Sequence, residues 1–129
     1  MRLAVIVLTA LAVMIGFAIP ASAQAVVDFK TPKGAAYCGT DHYTGRTLTC
    51  WTPNDGFTIS MRRRGTRVYK TYLGHNKGRH DPHIGQTLSF GRTWRSNGFR
   101  CISQSDGLTC TNLEGHGWWL GRYVGYRVF

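Results

Sequence analysis

The stretch Cys38-Gly39-Thr40-Asp41-His42-Tyr43-Thr44-Gly45-Arg46-Thr47-Leu48-Thr49-Cys50 sets the pattern for the whole chain. Counting inward from the cysteines, Gly39 faces Thr49, Thr40 faces Leu48, Asp41 faces Thr47 and His42 faces Arg46. A three-residue loop remains, Tyr43-Thr44-Gly45, closed by the residue that tolerates the left-handed position such loops need. Cys101 and Cys110 flank Ser105-Asp106-Gly107 in the same way.

Working outward, the next turn is Pro53-Asn54-Asp55-Gly56, with Pro and Gly where a type I turn followed by a left-handed residue wants them. Arg64-Gly65 centres the hairpin after it. Pairing about that centre sets Met61 against Val68 and Phe57 against Tyr72 on one face, with Thr58 on Thr71 and Ser60 on Tyr69 on the other. The first face is apolar except for Lys70 beside Ile59. Arg62 would face Arg67. Segments 26–30, 36–40, 47–51, 57–62, 67–73, 87–90, 99–103, 108–112, 118–122 and 126–129 read as strands, and His75 to Gly85 as the longest loop. Helix formers are scarce: Glu114 is the only glutamate and Gly occurs 16 times. The class is all-β, a small antiparallel sandwich or barrel with two disulfide-closed hairpins.

The 129 residues allow one small domain. Met1-Arg2 is a basic start, Leu3 to Ile19 an apolar run, and Ala21-Ser22-Ala23 a small-x-small cleavage pattern. Residues 1–23 are read as a signal peptide and 24–129 as the exported domain. An uncleaved anchor is the rival, since the run of 17 is just long enough to span. No second long apolar run follows, so no membrane span is expected after cleavage. In an exported chain of this size four cysteines imply disulfides, of which three connectivities exist. The spacing favours Cys38–Cys50 and Cys101–Cys110. A zinc–thiolate site is disfavoured, because neither pair is closely spaced and the compartment is oxidising.

Leu48-Thr49-Cys50 recurs as Leu108-Thr109-Cys110, followed by Asp55-Gly56 and Glu114-Gly115, then by Phe57 and Trp118. This echo suggests two related disulfide hairpins, with chance repetition as the alternative. Trp118 and Trp119, as strand neighbours, should point to opposite faces.

Taken together, Phe29-Lys30-Thr31-Pro32, Leu48 through Phe57, Gly107-Leu108-Thr109-Cys110-Thr111-Asn112 and Gly115-His116-Gly117-Trp118-Trp119-Leu120-Gly121-Arg122 resemble a family of small secreted, Cys-paired proteins of actinobacterial type. The resemblance covers nearly all of residues 24–129. It implies export and a compact disulfide-paired domain, and it carries no catalytic residue onto this chain.

Charge gives the leading functional expectation. Lys and Arg number 16 against 6 acids, for a net charge of +10. Arg62, Arg63, Arg64 and Arg67 crowd one hairpin tip, a set suited to gripping phosphate or carboxylate polymers bidentately. Trp94, between Arg92 and Arg95, would be a stacking residue. The blander alternative is a solvated hairpin end that aids solubility. The expected partner is an anionic cell-surface polymer or another exported protein, with nucleic acid less favoured because no recognised motif is present. A small secreted hydrolase using His116 and Glu114 is the enzymatic alternative, and an inhibitor- or toxin-like module the third. His80, Asp81 and His83, with His75 nearby, would form the one candidate metal site, in a spacing that fits no established motif. No cofactor is expected.

Overall fold

Hairpins with short turns and period-2 burial organise the chain into two sheets. The computed structural model describes residues 27–74, 84–123 and 125–129. The expected signal segment, 1–23, and the histidine-loop residues His75, His80, Asp81 and His83 lie outside them. The strands are β1 (Phe29–Lys30), β2 (Tyr37–Thr40), β3 (Thr47–Thr52), β4 (Phe57–Arg62), β5 (Val68–Tyr72), β6 (Gln86–Thr87), β7 (Thr93–Ser96), β8 (Phe99–Ser103), β9 (Gly107–Thr111), β10 (Gly117–Gly121) and β11 (Tyr126–Val128). A 3-10 turn, Pro32–Gly34, joins β1 to β2.

One sheet has the order β5-β4-β3-β2-β1-β6 and the other β11-β10-β9-β8-β7. A common core draws on both: Cys38, Leu48, Cys50, Ile59 and Met61 from the first, Phe99, Cys101, Leu108, Trp118 and Leu120 from the second. The architecture is therefore an open sandwich, and the barrel alternative is set aside. The first sheet is mixed rather than wholly antiparallel, because β1 pairs with β6 in parallel.

The registers read from the turns hold along the strands, but the β2–β3 ladder ends at Thr40–Leu48, so His42 and Arg46 are not paired within it and the turn is longer than the three residues expected. Cys38 pairs with Cys50 and Thr40 with Leu48. Met61 pairs with Val68, Ile59 with Lys70 and Phe57 with Tyr72. Both expected disulfides are present, Cys38–Cys50 and Cys101–Cys110. All four cysteines are fully buried. Such bridges persist in oxidising surroundings. No helix of the described residues is long and apolar enough to cross a membrane.

Lys70, the odd residue on an apolar face, has a physical partner. Its Nζ lies 4.6 Å from the Phe57 ring centroid and 4.4 Å from that of Tyr126 in β11. The two rings are themselves 5.5 Å apart. The ammonium bridges the edges of the two sheets through its attraction to both π faces.

Three expectations need correction. The segment 87–90 holds only the end of the short β6, whereas Thr93–Ser96 forms a strand that was not expected. Asn97 and Gly98 have φ of 52° and 87° and turn β7 into β8, as an Asn-Gly pair readily does. The ladder of β4 and β5 runs only to Met61–Val68, so Arg62 and Arg67 are not paired within it. The echo also aligns differently: Cys50 faces Ile59 and Cys110 faces Trp118. Trp118 thus matches Ile59, not Phe57, and the residue that matches Phe57 is His116.

Trp118 is wholly buried while Trp119 is half-buried on the outer face, as neighbours in a strand should be. The Arg127 guanidinium lies 4.7 Å over the Trp119 ring. At Gly117 a Cβ would fall on the Cys110 carbonyl oxygen, so only glycine lets β10 approach β9 there.

The two disulfides close loops with sequence separations of 12 and 9. Converting either pair to alanine should lower unfolding free energy by about 3 kcal/mol in the loop-entropy model. Urea unfolding of the two double variants checks this, and a loss confined to one pair would contradict equivalent bracing of the two sheets.

Candidate functional site

Four turns meet at one end of the sandwich. They are the β2–β3 turn, the β4–β5 loop, the β7–β8 turn and the β9–β10 turn. A Cβ on Gly45 would touch the Asn97 side chain, and one on Gly98 would touch Leu113 and Arg63. Arg63 N–H donates to the Arg46 carbonyl at 2.8 Å, and Leu113 N–H to the Arg63 carbonyl at 3.1 Å.

Asn112 is the centre of this assembly. Its Nδ2 donates to the Arg62 carbonyl at 3.2 Å and to the Gly65 carbonyl at 2.8 Å. Its Oδ1 accepts from the Glu114 N–H at 3.0 Å and the His116 N–H at 3.1 Å. An asparagine amide has two donor hydrogens and two acceptor lone pairs, so the side chain is fully used. It is also buried, at 6% exposure. Glu114 completes the tether, its Oε2 accepting from the Gly65 N–H at 2.6 Å.

The tether explains how like charges can share a tip. Arg62, Arg64 and Arg67 are exposed and Arg63 half-buried, with exposed Arg46 joining them from the β2–β3 turn. Their guanidinium groups repel one another. What holds the loop is backbone hydrogen bonding to the other sheet. Arg95 and Arg100, paired across β7 and β8 and both exposed, extend the positive field.

The acids of this end are committed to backbone amides. Asp41 Oδ1 accepts from the Thr44 N–H at 2.8 Å, and Oδ2 from the Arg46 and Thr47 N–H groups at 2.9 and 3.1 Å. The Thr44 hydroxyl donates to Oδ2 at 2.8 Å. The backbone and side-chain bonds of Thr44, followed by those of Thr47 and Arg46, hold the Asp41 pKa at about 2, below its ordinary 3.8. Glu114 is engaged at Gly65, as above.

Two depressions open on either side of the tip. One is lined by Arg46, Thr47, Arg62, Arg63 and Arg64. The other is lined by Arg62, Arg64, Gly65, Thr66, Arg67 and Tyr69. Arg62 and Arg64 belong to both.

The arginine tip and the Glu114–His116 turn, separate in sequence, are therefore one structure. Glu114 holds the loop, and His116 contributes its backbone N–H to Asn112. Trp94 is partly buried and packs against the core, its ring 4.9 Å from that of Phe29. Among the described residues no three of His, Cys, Asp and Glu are grouped to hold a metal ion. The His80, Asp81 and His83 expectation falls outside those residues.

Sequence reading missed Asn112, Leu113 and Arg46. A usable signal existed in the echo: Leu113-Glu114-Gly115 is the turn that corresponds to Pro53 through Gly56, with Asn112 just before it at the position of Thr52. A polar turn on the second sheet facing a crowded cationic turn on the first is a natural tether.

Comparison with protein-family models, with curated proteins and with solved structures finds no match.

Two outcomes test this geometry. A carboxyl with its folded pKa below its unfolded value stabilises above the unfolded pKa, and the contribution is lost as pH falls through the folded one. Asp41→Asn should therefore be less stable than the natural chain at about pH 5, and the gap should close towards about pH 2. Thermal unfolding across that range reads it, and a gap independent of pH would refute the role of the charge. Secondly, the carbonyls of Arg62, Arg63 and Gly65 are all hydrogen-bonded, which protects an exposed arginine-rich loop from proteases. Trypsin should cut after residues 62–64 at least about tenfold faster in Asn112→Ala, because cleavage requires local opening. Equal rates would show that Asn112 does not hold the loop.

Proposed function

We propose that this is an exported, non-enzymatic, disulfide-braced domain that binds an anionic surface polymer through its arginine end. One observation carries the reading. Five arginines, Arg46, Arg62, Arg63, Arg64 and Arg67, line two adjoining depressions, while the nearby carboxylates of Asp41 and Glu114 are engaged by backbone amides. Four of the five guanidinium forks belong to exposed residues, and these two carboxylates already hold backbone donors. Such forks suit phosphate and carboxylate groups.

Other features support it. The segment 1–23 has the organisation of a signal peptide, and the resemblance to small secreted proteins points the same way. An exported basic domain meets anionic polymers at the cell surface, and its net charge favours capture of them. Glu114 as a loop tether favours a binding role over acid–base work with His116. Trp94, half-buried against Phe29, serves packing more than stacking.

The test is a titration of the oxidised protein against teichoic acid, lipopolysaccharide, RNA, DNA and an uncharged glycan at low and physiological salt. One anionic ligand should remain bound at physiological salt, and Arg62→Ala with Arg64→Ala should weaken it at least about tenfold and reduce the salt dependence. Binding confined to low salt, or unchanged in the double variant, would overturn the reading.

A further inference from the structure

The two depressions share a wall. Arg62 and Arg64 line both, while Arg46 belongs only to one and Arg67 only to the other. A single anion fills one side and leaves the second set of guanidinium groups repelling. A chain of anions fills both sides at once, with successive charges straddling the wall.

The chemistry of the lining narrows the anion. The acceptor sites of a carboxylate all lie in one plane, so guanidinium forks must reach it within that plane. The first depression presents four arginines, Arg46 from the β2–β3 turn and Arg62, Arg63 and Arg64 from the end of β4 and the loop after it. A bridging phosphate also offers two charged oxygens, but about a tetrahedral centre, so forks arriving from different directions can reach it together. The lining also bears on what joins the phosphates. Among the described residues only one aromatic, Tyr69, lines either depression, and it is half-exposed at 49%. Trp94, the expected stacking residue, packs against Phe29 and lines neither depression. The site suits a compact linker without bases.

We infer that the arginine end takes two successive phosphates of a polyol-phosphate polymer, one on each side of Arg62 and Arg64. The inference rests on the anion-binding reading and adds to it the phosphate class and the two-site mode. Binding the first phosphate fixes the second near its own depression, so the second contact forms at high effective concentration.

Glycerol-phosphate oligomers carrying one, two, three and six phosphates provide the test, titrated calorimetrically at physiological salt. Affinity should rise at least about tenfold from one phosphate to two, then by less than about threefold per added phosphate. Arg46→Ala and Arg67→Ala should each remove that step, leaving the one-phosphate ligand within about threefold of its original affinity. Arg95→Ala, outside both depressions, should keep the step. All three side chains are exposed, and thermal unfolding of each variant confirms that it folds. A smooth gain with every phosphate, with equal losses in the three variants, would overturn the two-site mode while leaving anion binding intact. Tighter binding of polyglutamate, or of single-stranded DNA at equal charge, would overturn the polymer class. Failure of every polyanion to bind would overturn the anion-binding reading as well.

Discussion

The Asn112 side chain joins the two sheets where their charges most oppose it. Its two donors hold carbonyls of the arginine loop, and its oxygen holds the amides of its own turn. Net hydrogen-bond contributions are about 1 kcal/mol each, while leaving buried partners unsatisfied costs more. A buried amide with no spare capacity is therefore hard to replace. Aspartate there would lose both donors, and leucine would leave four backbone groups without their partner. Everything proposed for the arginine end presumes that this joint holds while guanidinium groups push against it.

The rest of the sandwich provides the frame for that joint. Each sheet has a disulfide hairpin at its centre, β2–β3 in one and β8–β9 in the other. Each hairpin is extended by a strand that inserts a large side chain opposite a cysteine, Ile59 opposite Cys50 and Trp118 opposite Cys110. A chain this small buries a modest share of its surface, so covalent bracing in the middle of each sheet matters. Lys70, held between Phe57 and Tyr126, ties the outer edges.

Much of this was legible in the sequence because it is local. Cysteine spacing, Gly45 and the Pro53–Gly56 turn determine the hairpin registers over a few residues, and each register followed by counting. The parallel contact of β1 with β6 leaves no such trace, since two-residue strands carry no period. β7 was missed because its burial alternates only between exposed and half-buried, though Asn97-Gly98 beside it marks a hairpin. The site divided along the same line. Arg62 to Arg67 stood out by composition, while Glu114 and His116 looked like an acid–base pair because sequence shows their spacing and not their docking. Only the packing of one sheet on the other reveals that Glu114 reaches Gly65 across 49 positions of chain.

The most direct measurement is amide hydrogen exchange at Gly65. Its N–H sits in an exposed loop and donates to Glu114 at 2.6 Å. Protection in the natural chain is the expected result, falling together with that of Leu113 when Asn112 becomes alanine. Exchange at the rate of an unstructured loop in the natural chain would contradict the tether, and with it the organised arginine end.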